Sequence, residues 1–560
     1  MNDSIYSYDI FDTCLVRACG EPSHVWDILA HKILGESADF AQIADFVLIR
    51  RSAEGKAREE LISHEKEDVT IEDIYTYCDF SSLTDISKHD IMAEEMAVEE
   101  KMLIPVYSVL LEINQLHQEG KRVTFISDMY LPQSFIQHIL ITTGFFHEED
   151  HLYISSDVGK SKSTGHLYDF VQRELCADFK HWIHQGDNRH SDYIVPRKKG
   201  IKAKLINHPL SFYERKAIEY DMVFSSSDIH KLSAVSRAIR LSTKDEPVYR
   251  FAADFIAPLM TTFVHYIFED AKRRGLQHLY FIARDACILY HIAQQLIHLY
   301  PDITIHYLYA SRQSLYEPDE NCLLYLHQEG LTRPHSAIVD MVGSRRCQQC
   351  INGLFQQNGF PQVFAYYFEV TPYRIMSTDP YLAMYYQEQL AGSPHYHHAS
   401  HPLFEQYFGI TDQYRTIGYQ KDGDKVAPIY EPDLMDADYK HHVFTVNKEI
   451  CCSFAHYYTT FYITNPIRCN NIFFAVFAQF CHVPRRDYLQ ALSGFFSSSS
   501  ATTKEALLER QSILSILFNK RKFFRWKQGI LIHNSGLLYH FFLFLLKWNH
   551  QRKIKTLTKI

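Results

Sequence analysis

Apolar residues in the first 206 positions fall into short runs, each ending on a polar or charged residue. Ile5-Tyr6-Ser7-Tyr8, Val123-Thr124-Phe125-Ile126, His151-Leu152-Tyr153-Ile154 and His181-Trp182-Ile183-His184 read as buried strands, and Ile201–Ile206 closes the set. Between them the apolar spacing is helical. From about 20 to 117 the chain is almost wholly helical, with acidic stretches at Glu94-Glu95 and Glu99-Glu100. Strands alternating with helices predict a parallel α/β sheet. The helical insert, about 18–117, is expected as a cap over the carboxyl end of the first strand.

The pattern repeats after a polar interval. Residues 207–245, with Pro209 and Ser225-Ser226-Ser227-Asp228, read as linker plus helix. Strands are then predicted at 278–283, 303–309, 336–340 and 363–369, and residues 400–520 look mainly helical, with Ser497–Ser500 as an exposed loop. A chain of 560 residues exceeds one ordinary domain. The expected division is 1–206, a linker at 207–245, a second α/β domain at 246–400, a helical extension at 401–519 and a basic tail at 520–560.

At 46% hydrophobic and 14% aromatic residues, the chain can fill large cores. A net charge of −9 gives no reason to expect nucleic acid as a partner. Twelve cysteines are scattered, and the C-x-x-C pair Cys347/Cys350 lacks a second pair or nearby His at zinc spacing, so it reads as helix packing. Met1-Asn2-Asp3 leads straight into a strand without a signal peptide, and free thiols fit the cytoplasm.

The strand ends carry the chemistry. Tyr8-Asp9-Ile10-Phe11-Asp12-Thr13, Ser127, Lys162 and Gly186-Asp187 with Asp192 supply a carboxylate nucleophile, a hydroxyl, a cation and an acidic pair. Ligands bind at the carboxyl ends of strands in open α/β sheets. Phosphate monoesters are among the slowest groups to hydrolyse. A nucleophile, a metal site and groups for the charged oxygens are what phosphoryl transfer through an aspartyl-phosphate needs. Taken singly, each residue has a plain alternative, such as a strand-end Asp capping the next helix. Lys160 competes with Lys162, but Lys162 opens the stretch Lys162–Tyr168 that starts a helix, whose N-terminus favours phosphate.

In this order the motifs resemble the haloacid dehalogenase superfamily of phosphatases and phosphotransferases, across residues 5–206. The resemblance implies a Rossmann-like parallel sheet with a helical cap, followed here by a second α/β domain and a helical C-terminal region. It implies Asp9 as nucleophile, Thr13 closing the loop, and Ser127 and Lys162 on the phosphate. Mg²⁺ would be held by Asp9, the Phe11 backbone carbonyl, Asp187 and Asp192. One departure stands out: phosphatases of this family place a second Asp two positions after the nucleophile as general acid/base, and here that position is Phe11. Asp12 and Asp128 are the candidates for the proton-transfer role, and a slow or degenerate site is the alternative.

In the second half, Phe281-Ile282-Ala283-Arg284-Asp285, Tyr309-Ala310-Ser311-Arg312 and Asp340-Met341-Val342-Gly343-Ser344 each follow or end a predicted strand. Arginine forks and a Gly-Ser turn suit a polyanionic sugar phosphate. Internal ion pairs among Arg284, Asp285, Arg312 and Asp340 are the plain alternative. The layout resembles two-part bacterial surface-polysaccharide proteins that pair a phosphatase with a glycan phosphoribosyltransferase. That resemblance implies transfer of ribose 5-phosphate from phosphoribosyl pyrophosphate to a lipid-linked glycan, with the 5-phosphate then removed. Arg284, Asp285, Ser311, Arg312, Asp340, Gly343 and Ser344 would bind the transferase substrates. The alternatives are a nucleotide-sugar glycosyltransferase fused to the phosphatase, or a membrane adaptor with a degenerate phosphatase site.

From Lys520 onward the chain holds ten Lys/Arg and no Asp or Glu. Its apolar stretch, from Ile530-Leu531 through Phe541–Leu546, is interrupted by His533, Asn534, Ser535 and His540 and flanked by Trp526 and Trp548. Aromatic flanks, and about 1 kcal/mol per basic residue near an anionic leaflet, predict a helix lying on the inner face of the cell membrane. A spanning helix and a helix packed on the protein are the other two readings. The expected location is thus cytoplasmic and peripheral.

Overall fold

The computed structural model describes residues 4–557 except 36, 62–65, 222–226, 371–379, 385–409, 432–436, 462, 464–465, 493–495, 501–502, 507, 509–511 and 519–526. The chain forms two compact units. The first comprises Met1–Ile218, Ser226–Asp245 and Thr460–Tyr462, and the second Glu219–Ser225, Glu246–Thr459 and Ile463–Ile560.

In the first unit, β1 (Ile5–Tyr8) is followed by β2 (Leu15–Arg17), which pairs antiparallel with β3 (Leu103–Pro105). This ribbon is the stem of the helical insert, whose helices are Pro22–Leu34, Phe40–Leu61, Ile71–Thr76 and Lys88–Met102. The insert is held internally by buried charge. Arg50 makes two bonds to Glu95, at 2.7 and 2.8 Å, and its guanidinium lies 4.8 Å from the Trp26 ring. Helix Tyr107–Gln118 follows the stem and leads into β4 (Val123–Ser127).

β5 (His151–Ile154), β6 (Trp182–Gly186) and β7 (Lys202–Leu205) complete a five-stranded sheet of order β5-β4-β1-β6-β7. Every pairing in it is parallel. Connections from β1 and β6 run toward opposite edges, so the adjacent carboxyl ends of these two strands form the topological switch point. The interval read as linker plus helix contributes helices Phe212–Asp221 and Ser227–Ser242, and the second of these belongs to the first unit.

The second unit repeats the principle with another order. β8 (His278–Ile282), β9 (Thr304–Leu308), β10 (Ser336–Gly343), β11 (Phe364–Val370) and β12 (Leu382–Met384) are arranged β12-β11-β10-β8-β9, again all parallel. β10 and β11 are apolar almost throughout and buried on both faces, as expected for a parallel sheet covered on both sides. Here the switch point lies between β8 and β10.

The segment Pro247–Arg274 is long and apolar enough to cross a membrane, but its apolar window is buried inside the unit. It packs through Phe251 and Phe255 against Phe477, Phe480 and Tyr488. Within 400–520, helices Ala437–Tyr458 and Pro466–His482 accompany two hairpins that the helical reading missed. β13 (Arg415–Asp422) pairs with β14 (Lys425–Glu431), and β15 (Phe496–Ser500) with β16 (Thr503–Ala506). Ser497–Ser500 is therefore strand, not loop: backbone pairing does not need apolar side chains. Cys347 and Cys350 are free thiols on helix Arg346–Gln357.

Candidate functional site

The loop after β1 is closed by its own backbone. The Asp9 N–H donates to the Gln185 carbonyl at 2.8 Å, docking the strand end on β6. Cys14 and Leu15 both donate to the Ile10 carbonyl, and Asp12 donates to Leu15 at 2.7 Å. This turn puts Asp12 at φ +53°, a conformation Asp tolerates better than most side chains. Phe11 is buried, with the Arg17 guanidinium 4.8 Å from its ring centroid. Its side chain is thus committed to packing and has no proton to give. Asp12 is more open and lies 3.4 Å from Arg237.

Lys162 reaches the centre of the site. Its Nζ donates at 2.6 Å to Oδ1 of both Asp9 and Asp192, and it is almost fully buried. Lys160 instead lies 3.8 Å from Glu67, which decides between the two lysines. Asp128 organises the lysine loop: its Oδ1 accepts from the Lys162 N–H at 2.7 Å, and its Oδ2 from the Ser163 N–H at 3.3 Å. Those contacts commit both Asp128 oxygens to the loop, while Asp12 lies beside Arg237. Ser127 is buried at the end of β4.

Asp192 is fixed from three sides. Oδ1 accepts from Lys162 and from His184 Nε2 at 3.2 Å, while Oδ2 accepts from the Asn188 N–H at 3.0 Å. Gly186 makes room for it, since a Cβ there would fall 2.5 Å from the Asp192 carboxyl carbon. Sequence reasoning missed His184. Trp182 Nε1 donates to Ser7 Oγ at 2.7 Å, and Ser7 Oγ lies 2.7 Å from His184 Nδ1. The Asp192 carboxylate only accepts, so the imidazole proton is on Nε2; burial lowers the His184 pKa, and Nδ1 of the neutral ring accepts from the Ser7 hydroxyl. Ser7 and His184 are register partners across β1 and β6, a relation no single segment displays.

The electrostatics follow from burial. Burial pushes the Asp9 carboxyl well up, Lys162 opposes this, and Asp192 and Asp187 add to it. Asp187, the most accessible of the three acids, is also raised, by burial and then by Asp12. Burial would raise Asp192 too, but Lys162 and the His184 hydrogen bond outweigh it and hold its pKa well below the usual carboxylate range. Lys162 keeps its charge against burial because Asp9 and Asp192 flank it. One oxygen from each of Asp9, Asp187 and Asp192 lies within 4.8 Å of the others. Three carboxylates around one ammonium leave negative charge in excess, and an all-oxygen donor set of this kind fits a hard divalent cation.

No protein-family model matches the chain, and no curated protein does. Solved structures do resemble it. One is a dehalogenase with an intermediate complex, at 14% identity over 37% of this chain and 86% of that one, TM-score 0.27. Another is YfnB from Bacillus subtilis in a magnesium-bound form, at 16% over 38% and 92%, TM-score 0.28. A third is a HAD phosphatase from Thermococcus onnurineus, at 17% over 37% and 88%, TM-score 0.25. The chemistry assigned below rests on the geometry of Asp9, Lys162, Asp187 and Asp192.

In the second unit, Arg284 and Asp285 follow β8, and Asp340 to Ser344 end β10, so both sets stand at the switch point. Burial pushes the Cys347 thiol up to about 12, Asp340 adds to this and Arg312 opposes it. Asp340 Oδ1 accepts from the Met341 N–H at 2.8 Å. Ser344 hydrogen-bonds Tyr316, and the Arg346 guanidinium lies 4.4 Å from the Tyr316 ring. Ser311 caps helix Arg312–Tyr316, accepting from Gln313 and Ser314 while donating to the Thr416 carbonyl at 2.6 Å. Its hydroxyl is committed to that cap. Arg345, buried at φ +65° in the turn after β10, is a further cation that the sequence motif did not single out.

Proposed function

We propose that the first unit is a metal-dependent phosphatase acting through an aspartyl-phosphate on Asp9, and that its substrate is a sugar phosphate made by the second unit. The observation that carries the first part is Lys162 Nζ bridging Asp9 and Asp192 at 2.6 Å beside Asp187, at the switch point of the sheet. Lys162 holds the Asp9 carboxylate in one orientation and, with Ser127, offers donors to the phosphoryl oxygens where charge concentrates. Asp12 gives a proton to the leaving oxygen and then takes one from the water that opens the acyl phosphate. Asp9, Asp187 and Asp192, with the Phe11 carbonyl, would hold Mg²⁺, which when bound offsets the repulsion between carboxylate and phosphate.

In the second unit the reading is transfer of ribose 5-phosphate from phosphoribosyl pyrophosphate to a lipid-linked glycan of a bacterial surface polysaccharide. Arg284 and Arg312 take the phosphates, Asp285 and Asp340 the sugar hydroxyls, and the turn at Gly343-Ser344 the remaining anion. That Arg284 and Asp285 follow β8 while Asp340 and Gly343 lie at the end of β10, at the switch point of that sheet, supports it. The buried Phe11 favours one alternative, a slow or degenerate phosphatase site in a membrane adaptor. A nucleotide-sugar donor is the other. Mass spectrometry of a glycan acceptor treated with wild type and with Asp9→Asn separates them. A phosphopentosyl adduct accumulating only with Asp9→Asn supports transfer followed by dephosphorylation. Consumption of nucleotide sugars instead assigns a glycosyltransferase, and no change in either chain assigns the adaptor.

A further inference from the structure

The C-terminal helices leave a patch of apolar side chains uncovered. Helix Lys527–Asn534 is anchored through the buried Ile530, Leu531 and Ile532. The chain then turns at Gly536, φ +52°, and continues as Tyr539–Leu557. The two helical segments meet at 119°. Leu537 at the bend is fully exposed, and Phe541, Phe544 and Trp548 are each more than half exposed. On a helix, positions 541, 544, 545 and 548 share one face, while Phe542 turns inward and is buried. Contiguous apolar surface of this kind marks an interaction site on a soluble unit.

Charge identifies the occupant. Residues 520–560 carry ten Lys/Arg and no acid, and Arg552 sits over the Trp548 ring at 5.5 Å. We infer that this surface docks on an anionic lipid leaflet, with Leu537, Phe541, Phe544 and Trp548 inserted among the acyl chains and the basic residues at the headgroups. Such a helix lies in the interface plane. The two segments together are long and apolar enough to cross a membrane, but the 119° bend between them breaks a single straight span. This inference stands independently of the catalytic assignments.

Sedimentation of the full chain with vesicles tests it. One set is phosphatidylcholine alone, the other one-third phosphatidylglycerol. Binding at low salt is expected to be at least about tenfold greater on the anionic set and to fall as salt rises. Phe541→Ser/Phe544→Ser/Trp548→Ser lowers it at least about tenfold, whereas Leu324→Ser, an exposed leucine elsewhere, leaves it unchanged. Quenching by brominated phosphatidylglycerol should be lost in Trp548→Phe, a readout that needs no disruptive variant. Equal binding by wild type and the triple variant, or none to either vesicle, overturns the inference. So does self-association in ultracentrifugation that the triple variant abolishes, which would give the face to a second copy of the chain.

Discussion

The two parallel sheets place their chemistry by the same rule and finish it differently. In the first, with order β5-β4-β1-β6-β7, the switch point is filled by an interlocked set: Lys162 between Asp9 and Asp192, with His184 behind. Gly186 is obligatory there, because a Cβ would collide with Asp192 at 2.5 Å. In the second, with order β12-β11-β10-β8-β9, the matching glycine, Gly343, has Tyr367 as its nearest neighbour at 3.3 Å. The first centre is locked by direct contacts among its charged groups, and the second sets Asp285 and Asp340 at the ends of β8 and β10 beside a glycine with more room around it.

Removing the nucleophile is the strongest way to separate the centres. Asp9→Asn should lower Mg²⁺-dependent phosphate release by at least about 10⁴-fold, by analogy with loss of a covalent nucleophile elsewhere, while donor cleavage by the second unit persists. Lys162→Met comes next. It strips a donor from the phosphoryl oxygens, at about 10²–10³-fold in turnover. It also strips the buried Asp9 and Asp192 of their shared cation, while His184 and the Asn188 N–H still hold Asp192, at about 3–5 kcal/mol in urea unfolding without metal.

A third test uses the second unit's buried His265, whose Nδ1 lies 2.6 Å from the Tyr458 hydroxyl. Burial lowers its pKa from 6.5 to about 4. Below 6.5 the unfolded chain binds a proton that the folded one refuses. Stability should therefore decline as pH falls from 6.5 to 4, by about 3 kcal/mol. His265→Gln should flatten that slope in urea unfolding across the same range.

The smallest effect is the most pointed. Gly186→Ala should cost about 1–3 kcal/mol by overpacking and most of the phosphatase activity with it. Gly343→Ala should cost less than about 1 kcal/mol, because only the Tyr367 ring edge must give way. Equal costs, measured by thermal unfolding, would remove the distinction between the two centres.

Most strands of the two sheets were legible because each is a short apolar run bounded by polar residues, whereas β12 was not expected, since the three residues Leu382–Met384 are too few to show a pattern. The switch-point acids were legible for the same reason: they end those runs. His184 was not, since its partner Ser7 lies on another strand and only the β1–β6 register joins them. The sequence shows the position of Asp128 but not that its two oxygens hold the Lys162 loop. The β13–β14 hairpin did leave a readable mark in Asp422-Gly423, a dipeptide favoured in tight hairpin turns, with Gly423 at φ +62°. The helical reading of the surrounding region obscured it.

The most direct test of the account is rapid acid quench of the full chain with a ³²P-labelled sugar phosphate in Mg²⁺, followed by peptide mapping. A hydroxylamine-labile label on the peptide containing Asp9, absent from Asp9→Asn, is the predicted result. Phosphate release at the wild-type rate from Asp9→Asn, with no label on the chain at any time, would contradict it.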